Sequence, residues 1–163
     1  MAVTVGTNVY LSVAGADSYW SARNNSSWAA ASTAAKEKAL LEATQYIDGA
    51  YTFLGTLTSF TQSLAFPRSG LVINEGNFKG AYYDSDVIPP QIQNACAELA
   101  LEALAANLKP SEARGGAIKK EKIDVIEIEY MDFAPSGKTY TFVSMLLKDL
   151  TIGSSNNIKL VRC

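Results

Sequence analysis

The chain contains no histidine, which excludes the Ser/His/Asp and Cys/His nucleophile systems and histidine-based zinc sites, because all of them need an imidazole. Its two cysteines, Cys96 and Cys163, form neither a CxxC pair nor a disulfide framework, so the reduced thiols of a cytosolic protein are expected. Charge is scarce as well. Only 18% of the residues are Asp, Glu, Lys or Arg, against roughly 25% in ordinary soluble domains. With a net charge of −2 there is no cation surplus to neutralise phosphates, which counts against nucleic acid as the principal partner. No apolar run is long enough to span a bilayer, so no membrane association is expected. The opening Met1-Ala2-Val3-Thr4 has neither the basic stretch nor the apolar core of a secretory signal and predicts an intracellular start.

What is present is apolar: 48% of 163 residues. A chain of this size buries about 69% of the surface its unfolded form exposes, enough for one self-supporting core without metal or disulfide staples. One domain over residues 1–152 is expected, and the surplus apolar surface points to burial against other subunits. After a strand-like opening from Thr7 to Leu11, Ser12 is placed to cap a helix running to about Arg23, with Val13, Ala16 and Tyr19/Trp20 on one face. Asn24-Asn25-Ser26-Ser27 stops it. Ser32 or Thr33 caps an amphipathic helix whose Ala35, Ala39/Leu40, Ala43, Ile47 and Ala50 recur at i+3/i+4. Residues 52–86 break every periodic pattern and are too long for an idle connection. Pro89-Pro90 opens a further helix, to about Leu108, that is apolar around nearly its whole circumference and so must be central. Lys119 to Met131 alternates like a half-buried strand, and Ala134-Pro135-Ser136-Gly137 is a turn. Tyr140 to Leu150 follows as a short helix burying Phe142/Val143, Leu146/Leu147 and Leu150. Residues 153–157 form a flexible tether to an apolar strand, residues 158–163.

Four motifs invite a chemical reading, and each has a cheaper explanation. Gly137-Lys138-Thr139 resembles the end of a phosphate-binding loop, but Asp132 stands where that loop needs glycine, and its carboxylate would repel phosphate. Gly137 is then turn chemistry and Thr139 a helix cap. Glu127 and Glu129 share a strand face roughly 7 Å apart, as paired catalytic acids do, yet alternation alone puts acids on a wet face. Asp84-Ser85-Asp86 lacks the glycine and distal glutamate of a calcium loop. Lys119, Lys120 and Lys122 are interleaved with Glu121 and Asp124, which leaves little net field for a nucleic acid.

Five blocks taken in order carry a family resemblance. They are Ser12-Val13-Ala14-Gly15-Ala16-Asp17-Ser18-Tyr19, Ala39-Leu40-Leu41-Glu42-Ala43-Thr44-Gln45-Tyr46-Ile47-Asp48, Gln62-Ser63-Leu64-Ala65-Phe66-Pro67-Arg68-Ser69-Gly70, Ile88-Pro89-Pro90-Gln91-Ile92, and the alanine-rich run from Ala95 to Leu101. Over about residues 8–108 the chain resembles the head-to-tail adaptor, or neck, proteins of tailed bacteriophages, also labelled DnaT-like single-stranded-DNA-binding proteins. From Pro110 onward only general architecture matches. Gly15 departs from the pattern, since relatives have an acid there that would complete a capping box.

The resemblance implies a mainly α fold: a small helical bundle with a long ordered loop (52–86), a short β element and a C-terminal extended tail (153–163). It implies a structural virion protein, assembled in the host cytoplasm into a twelve-copy ring in the neck. That ring would lie beneath the portal protein, meet a stopper or tail-terminator protein, and let DNA pass without sequence-specific binding. No catalytic, cofactor or metal site is implied. Gln62, Pro67 and Arg68 become loop anchors or subunit-interface residues. The apolar end, Ile158, Leu160 and Val161 with Arg162, would be an aggregation hazard if left free on its tether, so it is expected to dock on another protein, the portal, by adding a strand or filling an apolar groove; the other outcome is pairing with Lys122 to Tyr130 of its own subunit. The alternative is a single-stranded-DNA-binding module.

Overall fold

The computed structural model describes residues 3–74, 76–108, 120–123, 126–129 and 139–152. Its contacts fall into two compact units, Met1–Leu108 with Thr141–Cys163, and Lys109–Tyr140. The fold is mainly α. The first unit holds α1 (Val13–Ser21), α2 (Ser26–Ala30), α3 (Thr33–Ala50), α4 (Pro90–Ala105) and α5 (Thr141–Leu147), with the two-residue strands β1 (Thr56–Leu57) and β2 (Arg68–Ser69) between α3 and α4. Among the described residues no helix is long and apolar enough to cross a membrane.

The helix starts follow from their caps. Ser12 Oγ accepts from the Gly15 N–H at 3.1 Å, Asn25 Oδ1 from Trp28 at 2.9 Å, and Ser32 Oγ from Ala35 at 3.3 Å, each satisfying a first-turn donor with no intrahelical partner. At Gly15 a Cβ would lie 2.6 Å from Leu11 Cδ1, so a larger residue there would require the end of the Leu11 side chain to shift. The helix α4 has no side-chain cap; it opens on Pro90, whose absent N–H costs nothing in the first turn.

The core is the seam between α3 and α4. Ala39, Leu40, Ala43, Thr44 and Ile47 face Ile92, Ala95, Cys96, Leu99 and Ala100, all buried. Small residues let the backbones approach, and Thr44 Oγ1 lies 3.6 Å from Cys96 Sγ. Burial pushes the Cys96 thiol up to about 12, so this cysteine is a packing residue rather than a reactive one. α1 and α2 cover one side, tied to α3 by Asp17. Its Oδ1 accepts from Trp28 Nε1 at 2.7 Å and from Lys36 Nζ at 2.8 Å, and the ion pair holds the Asp17 carboxyl below its usual range. On the open side of this tie lies a cavity of about 490 Å³ between Trp20, Trp28, Asn24 and Asn25. Among the described residues Trp20 Nε1 is the buried side-chain donor without a partner.

Several expectations need correction. Thr7 to Leu11 is not a strand. Thr4 to Asn8 is a tight turn with Gly6 at φ +77°, and Val9 and Tyr10 are buried because they pack on α3, where the Tyr10 N–H reaches Thr44 Oγ1 at 3.3 Å. α1 ends two residues before Arg23, and α2 restarts within the segment expected only to stop it, after Asn24 takes φ 51°. α4 ends at Ala105 rather than Leu108. Ala106 turns extended, so that Leu108 folds back with its N–H on Glu42 Oε1 at 2.6 Å. The strand expected from Lys119 to Met131 is two strands, β3 (Lys120–Ile123) and β4 (Ile126–Glu129), paired antiparallel with Ile123 opposite Ile126. In α5 Val143 and Leu147 are buried, but Phe142 is 54% exposed, because a seven-residue helix on the α4 surface buries one narrow face. α5 starts at Thr141, one residue too late for Thr139 to be its cap. The turn 134–137, the tether and the strand 158–163 lie outside the described residues.

Truncating the seam tests its weight. Leu99→Ala removes a fully buried side chain at the middle of α4 and should cost about 2–5 kcal/mol, read from urea unfolding followed by circular dichroism. A loss below about 1 kcal/mol, within the ordinary range for peripheral sites, would show that the seam is not the core.

Candidate assembly surface

Residues 52–86 form a loop that is braced by side chains in place of a sheet. β1 and β2 pair over only two positions, Thr56 opposite Ser69 and Leu57 opposite Arg68. The rest of the bracing comes largely from Arg68 and Gln62. Arg68 Nε donates to the Leu54 carbonyl at 2.7 Å, Nη2 to the Gly55 and Phe53 carbonyls at 2.8 and 3.3 Å, and Nη1 to Ala65 at 3.3 Å. A planar fork of five donors suits four converging carbonyls, and no other side chain offers it. Gln62 works at the neighbouring bend. Its Nε2 donates to the Leu64 and Pro67 carbonyls at 2.8 and 3.1 Å, and its Oε1 accepts from the Ser59 N–H and Thr58 Oγ1 at 3.0 and 2.9 Å. The Phe66–Pro67 peptide bond is cis. Gly55 is required where it stands: φ is +71°, and a Cβ would run into the Ser69 carbonyl. Gln62, Pro67 and Arg68 therefore meet in one place, and the hydrogen bonds described for them bind parts of their own loop.

The loop is fastened to the bundle through Asp48, near the end of α3. Asp48 Oδ1 accepts from the Tyr10 hydroxyl and Oδ2 from the Ala65 N–H at 3.3 Å, joining the N-terminal segment, the helix and the loop. Phe66 is fully buried, packed edge-on to Tyr10 and Phe53 at ring centroid distances of 5.9 and 4.8 Å. Burial drives the Asp48 carboxyl above the usual carboxylate range, more than its hydrogen bonds lower it, and raises the Tyr10 phenol. At the far end the backbone joins the segment after α5: Leu54 N–H reaches Leu150 O at 2.9 Å and Ile152 N–H reaches Thr52 O at 2.8 Å.

A second projection runs from Leu71 to Tyr83 as a ribbon, with Tyr83 N–H on Leu71 O, Ile73 N–H on Ala81 O, and a 3₁₀ turn at Gly76–Phe78. Asp84 belongs to a turn closed by the Val87 N–H at 3.1 Å. Bracing fixes the loop yet leaves its apolar side chains outside. Phe60 is 96% exposed, Phe78 72% and Tyr82 66%, and six of the eleven exposed large apolar side chains among the described residues lie in this loop. Sequence reasoning missed these three aromatics. The available signal was an aromatic set among Ser, Thr, Gly and Lys in a breaker-rich stretch, where nothing apolar is near enough to bury it.

Electrostatics runs the other way. In the first unit Arg68 is engaged by carbonyls and Lys36 by Asp17. Arg23 stacks 3.5 Å over the Tyr19 ring, whose phenol donates to Glu98 at 2.7 Å and is pushed up to about 12 by its surroundings. In the second unit the register sets Lys120 opposite Glu129 and Lys122 opposite Glu127, so the lysines and glutamates singled out from sequence share positions of opposite charge. Lys119, Gly137, Lys138 and the tail residues Ile158, Leu160, Val161 and Arg162 lie outside the described residues. Among the described residues no three His, Cys, Asp or Glu side chains are grouped so as to hold a metal ion.

Fold and surface thus define a mainly α domain that presents a rigid, apolar, weakly charged loop. The chain matches over residues 2–163 a family described as "Putative DnaT-like ssDNA binding protein", and it belongs to that family. That description names single-stranded DNA and not a head-to-tail adaptor. Neither the curated proteins nor the solved structures include a match to this chain.

Two outcomes follow from the bracing. Arg68→Lys supplies charge but not the fork, and should raise the rate of limited proteolysis within residues 52–86 several-fold while α-helical content is kept; unchanged cleavage would show that the clamp is dispensable. For Asp48, a folded-state proton affinity above the unfolded one means its contribution is fully present below about pH 4 and is lost as pH rises through the raised value. Asp48→Asn should therefore flatten the wild-type decline in urea midpoint as pH rises above about 4. A variant with the wild-type slope would assign that decline to other groups.

Proposed function

We propose that the chain is a structural subunit that acts by assembly, a head-to-tail adaptor of a tailed bacteriophage. Twelve copies would form a ring in the virion neck beneath the portal protein, extend the DNA channel, and receive a stopper or tail-terminator protein on the other side. The observation that carries this reading is the loop that fixes Phe60, Phe78 and Tyr82 in water. The Arg68 and Gln62 clamp around Phe60 and the backbone ribbon from Leu71 to Tyr83 that carries Phe78 and Tyr82 hold apolar surface exposed at a cost in free energy, and burial against a neighbour recovers it. In this reading the subunit carries no reaction and no cofactor, DNA passes without being read, and residues 158–163 are the segment that docks on the portal.

A second reading, single-stranded DNA binding, is supported by the family description and by one local feature. Phe78 and Tyr82 share the ribbon with Lys79, and an exposed ring beside a cation is the usual platform for a stacked base. One pair of measurements separates the two. Multi-angle light scattering over a concentration series should show self-association, and a labelled oligonucleotide titrated at low and moderate salt should bind weakly if at all. Tight binding that falls steeply with salt, by roughly 0.7 in the logarithm per phosphate contact, with a chain that stays monomeric, would replace the adaptor by the DNA-binding reading.

A further inference from the structure

The cavity between α1, α2 and the start of α3 has no part in the braced loop, and both tryptophans of the chain line it. Its volume of about 490 Å³ falls within the span of small-molecule sites, roughly 300–1,000 Å³. Among the residues that line it Asp17 and Lys36 carry charge, and their ion pair cancels it. A charged ligand would lose hydration here without finding an unpaired counter-ion, so the cavity favours a neutral one.

Two polar groups of the lining keep unused hydrogen-bonding capacity. Trp20 is buried, and its Nε1–H has no acceptor. Asp17 accepts from Trp28 Nε1 and from Lys36 Nζ on one oxygen, Oδ1, so the hydrogen bonds described for it leave Oδ2 over, on a side chain that is half exposed. Asp17 and Trp20 are three residues apart on α1, which sets them on one face of the helix. A buried indole donor left unpaired is costly, and its persistence needs a reason. Shielded from bulk water, this donor is completed by an acceptor on a molecule that enters the cavity.

The geometry points to a binding site for a small, neutral aromatic carboxamide, whose carbonyl oxygen accepts from Trp20 Nε1–H and whose amide N–H donates to Asp17 Oδ2. The ring of the ligand supplies an apolar body against Trp20, Trp28 and Ala29. α2, five residues long and entered through Asn24 at φ 51°, is the wall that yields as the ligand seats. A carboxylate in the same place would set its charge against Asp17, and a hydrocarbon would leave the Trp20 donor unpaired. The site goes beyond the assembly reading and does not rest on it, since none of the lining residues belongs to residues 52–86.

The test uses the full chain labelled with heavy nitrogen, whose two indole N–H signals both report on the cavity. Trp20→Phe keeps an aromatic ring, removes the donor and assigns the two signals. It should hold or raise the melting temperature, because an unpaired buried donor is gone. Benzamide, the probe, should shift the Trp20 indole signal saturably in the wild type. Followed by the Trp28 signal, its binding to Trp20→Phe should be at least about tenfold weaker, the effect of one hydrogen bond. Benzoate and toluene, of similar size, should move neither signal at the same concentration. Ala29→Leu fills the cavity from an exposed position of α2 and should block benzamide with both indoles in place, which keeps the test open if Trp20→Phe does not fold. Indole signals unmoved by benzamide up to its solubility overturn the site, as does undiminished binding by Trp20→Phe or by Ala29→Leu. Equal shifts with toluene or benzoate overturn the carboxamide as the ligand class. Light scattering is read separately, so the assembly reading stands or falls by its own measurement.

Discussion

The seam between α3 and α4 is the constraint on which the other parts of the helical unit depend. Ala39, Ala43, Ala95 and Ala100 bring the two backbones close, and Leu40, Ile47, Ile92 and Leu99 fill the space that remains. Everything else docks on this pair. α1 and α2 reach it through Asp17 and Lys36, the N-terminal segment through Tyr10 on Thr44 and Asp48, Leu108 through Glu42, and α5 through its contact with α4. The Asp48 tie carries a desolvation cost, since a carboxyl group partly withdrawn from water is held by one phenol and one amide. Its position near the end of α3 is where three separate chain segments can be fixed by one group.

A loop as long as residues 52–86 needs partners for its backbone groups, and a sheet is the usual solution. Here β1 and β2 supply two paired positions. Arg68 and Gln62 supply the remainder by bridging carbonyls that strands would otherwise satisfy. The result is order without a continuous sheet edge, so the loop exposes apolar side chains while offering little template for unspecific strand pairing. Rigid presentation of this kind reduces the ordering entropy of a later contact, which is the advantage of preorganisation in any interface.

The helices were legible because their signals are local. Ser12, Ser32 and Pro90 mark the starts of α1, α3 and α4, and the i+3/i+4 spacing of Ala39, Ala43 and Ile47 marks the face that α3 buries. α2 was not legible, since five residues are too few to show a period, although Asn25 was a cap in plain view. The antiparallel pairing of β3 with β4 was missed because only Ile126 to Tyr130 alternates, whereas Lys120-Glu121-Lys122 carries no period of its own and reads as the start of the same strand. Phe142 was misassigned for a related reason: periodicity tells which residues share a face, but the width of the buried stripe is set by what the helix packs against. The functional surface was half legible. Gln62, Pro67 and Arg68 stood out as a block, whereas the exposure of Phe60, Phe78 and Tyr82 depends on three-dimensional neighbours that spacing does not encode.

The inventory of cations decides how far the DNA-binding reading can be carried. Single-strand affinity rises with the number of phosphates neutralised, and a groove that tracks a backbone needs several cations facing it. In the helical unit Arg23, Lys36 and Arg68 are committed to internal partners, which leaves Lys38, Lys79 and Lys148 as its remaining described cations. Residues 109–140 add six, Lys109, Arg114, Lys119, Lys120, Lys122 and Lys138, but also six acids, Glu112, Glu121, Asp124, Glu127, Glu129 and Asp132. A segment whose charges cancel, with Lys120 and Lys122 in register opposite Glu129 and Glu127, generates little long-range field to gather a polyanion. Near-neutral surfaces serve a different purpose. In the adaptor reading proposed above, weak charge with apolar contacts directed toward protein neighbours suits a subunit that lets DNA pass better than a basic groove would.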